Sequence, residues 1–120
     1  MLILLLLALS LHAQTIRTVC TSGCDYALTA LQTAIDDASP GDIIEIGKGL
    51  TATRTGGEPY NLPAKGGSSF VTIRSSGVTN LTPGARVGPA DAANLAKLTI
   101  AISPGPWAVI SNSQGASWYR

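Results

Sequence analysis

Apolar and polar residues change their spacing twice between residues 15 and 46. Residues 15–19 alternate β-branched and polar side chains, which predicts a short edge strand. A helical stripe with spacing i, i+3, i+4 and i+7 follows, made of Leu31, Ala34, Ile35 and Ala38. Pro40 and Gly41 end that helix, and Ile44 and Ile46 then share one face of a predicted strand at residues 42–46. The order strand, helix, strand is therefore expected at the start of the folded region.

The start of the helix carries a capping-box pattern. Thr29 precedes Gln32 by three residues, so the Thr29 hydroxyl is expected to accept from the Gln32 backbone N–H while the Gln32 side chain returns to the cap. The helix is therefore predicted to begin at about Ala30. Asp36 and Asp37 lie on its polar side and predict a solvated face instead of a paired catalytic site, since adjacent helical residues splay apart.

The remaining chain alternates turn-rich segments with short apolar runs. Residues 50–67 are rich in Thr, Gly and Pro and predict loops, with Tyr60 and Leu62 contacting the core. Further predicted elements are a strand at 70–74, a helical turn at 89–96 that starts with proline, strands at 97–102 and 107–111, and a strand beginning at 118–120.

These elements have the spacing of a solenoid. Short strands recur about every 10 to 25 residues, irregular turn-rich spacers separate them, and no tight hairpin signal joins consecutive strands. The terminal coil of such a stack needs a cap that protects its edge. The sequence therefore predicts a parallel β-solenoid whose first coil is capped by the helix.

Composition and charge narrow the possible partners. A hydrophobic content of 45% with 12% charged residues is typical of a folded chain. The formal net charge is +1 and the eight Lys and Arg residues are dispersed singly. Without a basic patch, neither nucleic acid nor a membrane surface is an expected partner.

The first 13 residues have the pattern of an export signal. The apolar run from Leu2 to Leu9 has the length of a signal-peptide core and is too short to span a membrane. Cleavage after Ala13 would leave a mature region of residues 14–120, which would be secreted, periplasmic or at the cell surface. The alternative is a buried N-terminal helix.

The histidine and cysteine residues limit the kinds of catalytic and metal sites that the chain can form. Removing the signal removes His12, the single histidine, and with it any imidazole base or zinc ligand. Cys20 and Cys24 are expected to form a small disulfide loop in an oxidising exterior, and their spacing without further Cys or His argues against a metal site. Two free thiols are the alternative.

Three runs resemble a known group of proteins. Residues 19–26, 31–36 and 40–46 are similar to the N-terminus of exported bacterial right-handed parallel β-helix proteins of the pectin lyase-like superfamily, and residues 71–76, 83–87 and 89–91 resemble the next segments of those proteins. The resemblance implies an all-β fold, namely a right-handed parallel β-helix with an N-terminal capping helix and its first few coils. It also implies truncation, with the next coil expected beyond Arg120.

The resemblance leaves the activity open. The superfamily includes polysaccharide lyases, glycoside hydrolases, esterases and non-catalytic surface proteins, and fold does not select among them. It implies a secreted protein that binds or acts on acidic polysaccharide, whose catalytic and calcium-binding residues lie in later coils. No catalytic, cofactor-binding or metal-binding residue is therefore assigned in this chain. The alternatives are a non-enzymatic surface or adhesive solenoid, or a truncated product without independent function.

The acidic residues have structural explanations. Asp42 follows a turn and is expected to accept local backbone N–H groups. Glu45 is expected to form an ion pair with Arg74 on a neighbouring strand instead of a catalytic couple. Glycosidase carboxylates lie about 5 to 10 Å apart across a cleft, and spacing alone does not place Glu45, Glu58 or Asp91 in that way.

The remaining candidate sites are three aromatic residues and one glycosylation sequon. Trp107, Trp118 and Tyr119 could stack on sugar rings, although aromatic residues beside strand ends more often pack in a core or at its rim. Asn80, Leu81 and Thr82 match a glycosylation sequon, whose use depends on the host.

Overall fold

The computed structural model describes residues 13–101, 108–112 and 119. Its strands are β1 (Ile16–Cys20), β2 (Tyr26–Ala27), β3 (Ile43–Ile46), β4 (Thr51–Arg54), β5 (Tyr60–Leu62), β6 (Thr72–Ser75), β7 (Lys97–Ile100) and β8 (Ile110–Asn112). The α-helix is α1 (Leu31–Asp37), and 3-10 segments occupy Leu28–Ala30, Ser76–Asn80 and Pro89–Asn94.

All strand pairs in the described residues are parallel. The largest sheet has four strands in the order β2, β1, β3, β6, and two further sheets pair β4 with β7 and β5 with β8. In the four-stranded sheet, Thr18, Glu45 and Arg74 occupy one cross-strand row. In the β5 and β8 pair, Asn61 lies opposite Ser111.

The core lies between α1 and the three sheets. Its buried members are Val19, Leu31, Ala34, Ile35, Ala38, Ile44, Ile46, Ala52, Tyr60 and Val71. The four residues of the predicted helical stripe are all buried, as are Ile44 and Ile46 of β3. Tyr60 is 2% exposed, so its predicted contact with the core is confirmed.

The predicted right-handed parallel β-helix is wrong. The structure is a small α/β-type domain in which strands of two to five residues are divided among small parallel sheets, with α1 and three 3-10 segments between them. Helix α1 supplies Leu31, Ala34 and Ile35 to the main core, so it is an integral packing element. The period-two runs correctly indicate strands, but they do not encode how those strands are grouped into sheets.

Two local predictions also differ from the structure. The predicted loop at 50–67 contains β4 and β5. The capping box does not form, because Ala30 is the N-cap residue of α1 and makes no side-chain cap hydrogen bond. Thr29 instead lies inside the 3-10 segment that leads into α1, and the Gln32 side chain bonds to residues of other elements.

The predicted strands at 70–74, 97–102 and 107–111 correspond to β6, β7 and β8 as far as the described residues reach, whereas residues 118 and 120 of the predicted strand at 118–120 are not described. The predicted helical turn at 89–96 is a 3-10 segment, Pro89–Asn94. Residue 119 forms a single parallel bridge with Val71. His12, Trp107, Trp118 and the predicted signal segment other than Ala13 lie outside the described residues. Within the described part of the chain, no helix has the length and apolar character needed to cross a membrane.

Candidate functional site: a polar groove beside α1

A polar groove of about 500 Å³ runs between α1 and the sheet formed by β5 and β8. Among the described residues, its lining comes from α1, three strands and one loop: Gln32, Asp36, Arg54, Glu58, Pro59, Asn61 and Ser111. These residues are separated by up to 79 positions in the chain, from 32 to 111. We refer to this set as the groove.

The local structure explains how each side chain comes to line the groove. Gln32 and Asp36 are four residues apart on α1 and share a face, and the Gln32 Nε2 donates to Asp36 Oδ1 at 2.9 Å. On β5, Tyr60 is buried in the core, so the alternation of a strand places Asn61 on the opposite side. Arg54 is the last residue of β4, directly before the loop that carries Glu58.

The Gln32 amide holds the inner wall of the groove together. Its Oε1 accepts from Arg54 Nη1 at 2.6 Å and from the Asn61 backbone N–H at 2.8 Å. Its Nε2 donates to the Asn61 carbonyl oxygen at 2.9 Å, in addition to its bond with Asp36. A primary amide offers two N–H donors and two acceptor lone pairs. The four contacts use all of them and fix α1 against β5.

Arg54 is also held on several sides. Its Nη2 lies 3.7 Å from Glu58 Oε2, and its guanidinium carbon lies 5.8 Å from the centre of the Tyr60 ring. The Arg54 side chain is 22% exposed, whereas that of Glu58 is 78% exposed. Burial raises the pKa of Tyr60, with a smaller opposing effect of Arg54, so the Tyr60 phenol stays protonated at neutral pH.

The groove carboxylates are open to solvent. Asp36 and Glu58 are both exposed, so water solvates them. Carboxylates accept hydrogen bonds and do not donate them. The groove therefore combines a rigid amide and guanidinium wall with a solvated carboxylate rim.

A second polar cluster surrounds Asp42 and is structural. Asp42 is 2% exposed and accepts from the backbone N–H groups of Ser39 at 2.9 Å and Thr15 at 3.2 Å, which confirms its predicted role. Arg17 Nε donates to the same carboxylate at 3.0 Å, and Arg17 Nη1 donates to the Tyr26 hydroxyl. Burial opposes ionisation of Asp42, but these hydrogen bonds outweigh it and lower its pKa.

The Cys20 and Cys24 sulfurs lie at disulfide-bonding distance, with their Cα atoms 5.9 Å apart. This bridge closes the short connection between β1 and β2, which pair in parallel although parallel strands usually need a much longer crossover. Asp25 adds a second clamp, because its Oδ2 accepts from both the Thr18 backbone N–H and the Thr18 hydroxyl at 2.8 Å. The hydrogen bonds from Thr18 lower the pKa of Asp25.

The predicted pair of Glu45 and Arg74 is confirmed. Arg74 Nη2 and Nε lie 2.6 and 2.9 Å from Glu45 Oε2, across neighbouring strands β3 and β6. Both side chains are partly buried, with exposures of 24% for Glu45 and 32% for Arg74. The pair joins two strands of the main sheet and is separate from the groove lining.

The other candidates lie outside the groove. Asp91 Oδ2 accepts from the Gly88 backbone N–H at 2.8 Å and closes the start of a 3-10 segment. Asn80 is exposed and donates to Asn94 Oδ1 at 3.1 Å. The Tyr119 hydroxyl donates to the Pro63 carbonyl oxygen at 2.9 Å, which is a packing contact. In the part of the chain that the structure describes, no three His, Cys, Asp or Glu residues are grouped to hold a metal ion.

Sequence reasoning missed the central groove residues. The local pattern assigns Gln32 to the helix cap, and Arg54, Asn61 and Ser111 carry no local motif. Comparisons with protein-family models, curated proteins and solved structures found no match for this chain. The pectin lyase-like resemblance therefore stays a prediction.

Proposed function

We propose that the protein is exported and binds polysaccharide through the groove. The observation that carries this proposal is the groove itself: an open polar channel of about 500 Å³, within the size range of ligand sites in proteins. It has an ordered amide and guanidinium wall and exposed carboxylates along the rim. Sugars present neighbouring hydroxyl groups, and the solvated carboxylates of Asp36 and Glu58 can accept hydrogen bonds from them.

Rigidity of the groove supports binding. The four hydrogen bonds of the Gln32 amide fix α1, β4 and β5 relative to one another before any ligand arrives. Ordering side chains on binding costs about 0.5–1.5 kcal/mol for each flexible side chain. A wall that is already ordered avoids part of that cost, so that even a sugar chain that makes few contacts can bind.

Export is supported by the N-terminal apolar run and by the cysteine pair. A bridge between Cys20 and Cys24 persists in an oxidising exterior and is rare in the reducing cytosol. Polysaccharides are abundant outside cells, so the compartment and the proposed ligand agree.

The groove favours a binding protein over an enzyme. Glu58 is 78% exposed, and Asp36 is exposed as well. Both carboxylates are therefore open to solvent and can accept hydrogen bonds from sugar hydroxyl groups. We therefore place the protein among surface or extracellular binding proteins.

The test compares two adjacent aspartates of α1 in the full chain. Asp36 lines the groove and Asp37 does not, yet both are exposed and each accepts one side-chain hydrogen bond. Asp36→Ala should weaken binding to a panel of soluble polysaccharides by about tenfold, which corresponds to one hydrogen bond to a charged group. Asp37→Ala should leave the affinity unchanged.

Affinity electrophoresis through gels that contain each polysaccharide measures both variants against the unmodified protein. Retardation that is equal for Asp36→Ala and the unmodified protein would refute the groove as the binding surface. No retardation by any polysaccharide would refute the proposed function.

A further inference from the structure

We infer that the groove selects neutral polysaccharides over uronate-containing ones, because the charge of Arg54 is already paired with Glu58 and the rim carries two exposed carboxylates. This inference rests on the proposed function and names its ligand class. It departs from the acidic polysaccharide that the sequence resemblance implies.

Arg54 supplies the one positive charge among the described lining residues. Proteins recognise carboxylates most strongly through paired N–H donors of an arginine. In the groove, Arg54 Nη1 donates to Gln32 Oε1 at 2.6 Å, and Nη2 lies 3.7 Å from Glu58 Oε2. The side chain is also only 22% exposed. One N–H of Arg54 is engaged by Gln32 and Glu58 already supplies a counter-charge, so a uronate carboxylate would compete with Glu58 for this guanidinium.

The described lining has more negative than positive charges. Asp36 and Glu58 supply two negative charges and Arg54 one positive charge, so the described lining carries a net charge of −1. Lys65 is not among the lining residues, but its Nζ donates to the Asp36 carbonyl oxygen at 2.6 Å and so places one positive charge beside Asp36. Like charges brought together at a binding surface disfavour a ligand, and this repulsion is a common source of specificity. A polyanionic sugar chain meets that repulsion at the rim, where both carboxylates are exposed.

The carboxylates of the rim are suited to hydroxyl donors. Carboxylates accept hydrogen bonds only, and bonds from hydroxyl groups to a carboxylate are short and strong. Neutral sugars supply many hydroxyl donors and no opposing charge. Asp36 and Glu58 therefore match a neutral chain for the same reason that they reject an acidic one.

The experiment removes one negative charge from the groove. Glu58→Gln in the full chain removes one rim charge and the anionic partner of Arg54 while nearly keeping the side-chain shape. Glu45→Gln is the matched control, since Glu45 also pairs with an arginine but lies outside the groove. Dissociation constants are measured for neutral glucan, galactan, xylan and mannan and for polygalacturonate.

The unmodified protein should bind at least one neutral polysaccharide about tenfold more tightly than polygalacturonate at low salt, and added salt should reduce that ratio. Glu58→Gln should shift the ratio towards polygalacturonate by about tenfold, whereas Glu45→Gln should not shift it. Circular dichroism of each variant checks that the fold is retained.

Two results would overturn the inference and leave polysaccharide binding standing. One is equal or tighter binding of polygalacturonate by the unmodified protein, and the other is an unchanged ratio in a folded Glu58→Gln variant. Binding of neither class would instead refute the proposed function on which the inference rests.

Discussion

Replacing Asp42 with alanine should be among the most damaging single changes in the main sheet. The Asp42 carboxylate is 2% exposed and joins the start of β1 to the turn that precedes β3. Alanine removes the acceptor for the Ser39 and Thr15 backbone N–H groups and the ionic partner of Arg17. The Arg17 hydrogen bond to the Tyr26 hydroxyl would then hold a guanidinium without its counter-ion.

The magnitude can be worked from these contacts. Removing one member of a buried ion pair costs about 3–5 kcal/mol. Arg17 is 23% exposed, so solvent can partly replace the lost carboxylate and the lower end of that range applies. We therefore expect Asp42→Ala to lower the free energy of unfolding by about 3 kcal/mol, a large part of the 5–15 kcal/mol typical of a domain.

The assay is urea unfolding followed by far-ultraviolet circular dichroism. Asp37→Ala is the control, because Asp37 is exposed and accepts one hydrogen bond, from the Tyr26 hydroxyl at 3.0 Å. It should cost less than about 1 kcal/mol. A loss below about 1 kcal/mol for Asp42→Ala at neutral pH would refute the assignment of Asp42 as a structural anchor.

The same carboxylate makes stability depend on pH. Because the folded pKa of Asp42 lies below its unfolded value, the unfolded chain binds the proton more readily. The Asp42 contribution is complete above an unfolded pKa of about 4 and is lost as the pH falls through the lower folded pKa. Asp42→Asn should flatten this acid decline, while Asp25, whose pKa is also lowered, leaves a residual slope. An unchanged slope would contradict the argument.

Two further changes test the packing and the covalent bridge. Gly77→Ala should destabilise the fold by about 1–3 kcal/mol, because a Cβ at Gly77 would lie 2.7 Å from Asn94 Cα. The control is Gly66→Ala, whose Cβ would meet no atom within 4 Å and which should be nearly neutral. Thermal unfolding measures both variants. Replacing Cys20 and Cys24 together by serine should cost about 2 kcal/mol in urea unfolding through lost loop closure, and an unchanged midpoint would argue against the bridge.

Local patterns predicted the elements that have a strong apolar period. The stripe on α1 and the alternation of Ile44 and Ile46 mark buried faces because each contains several large apolar residues. The pair of Glu45 and Arg74 could also be predicted, because Glu45 lies between two buried isoleucines and Arg74 follows the half-buried Ile73 on its own strand.

Elements with small or polar residues were not predictable in the same way. In β4 only Ala52 is buried, and the flanking Thr51 and Thr53 are exposed, so no apolar period marks the strand. β5 has only three residues, Tyr60–Leu62, inside a segment rich in turn formers. Its pairing with β8 joins residues 50 positions apart, for example Tyr60 with Ile110. Sheet grouping of this kind leaves no local signal, which is why the pairing was not predicted even for the strands that were.

Gln32 shows why the groove could not be found from a motif. A capping box accepts either glutamate or glutamine three residues after the cap. The contacts of Gln32 in the folded chain require an amide, because its Oε1 accepts from Arg54 while its Nε2 donates to the Asn61 carbonyl oxygen. A glutamate there would lose both donors and face that carbonyl and Asp36 with a negative charge. The long-range requirement is thus more selective than the local one, and it determines the groove wall.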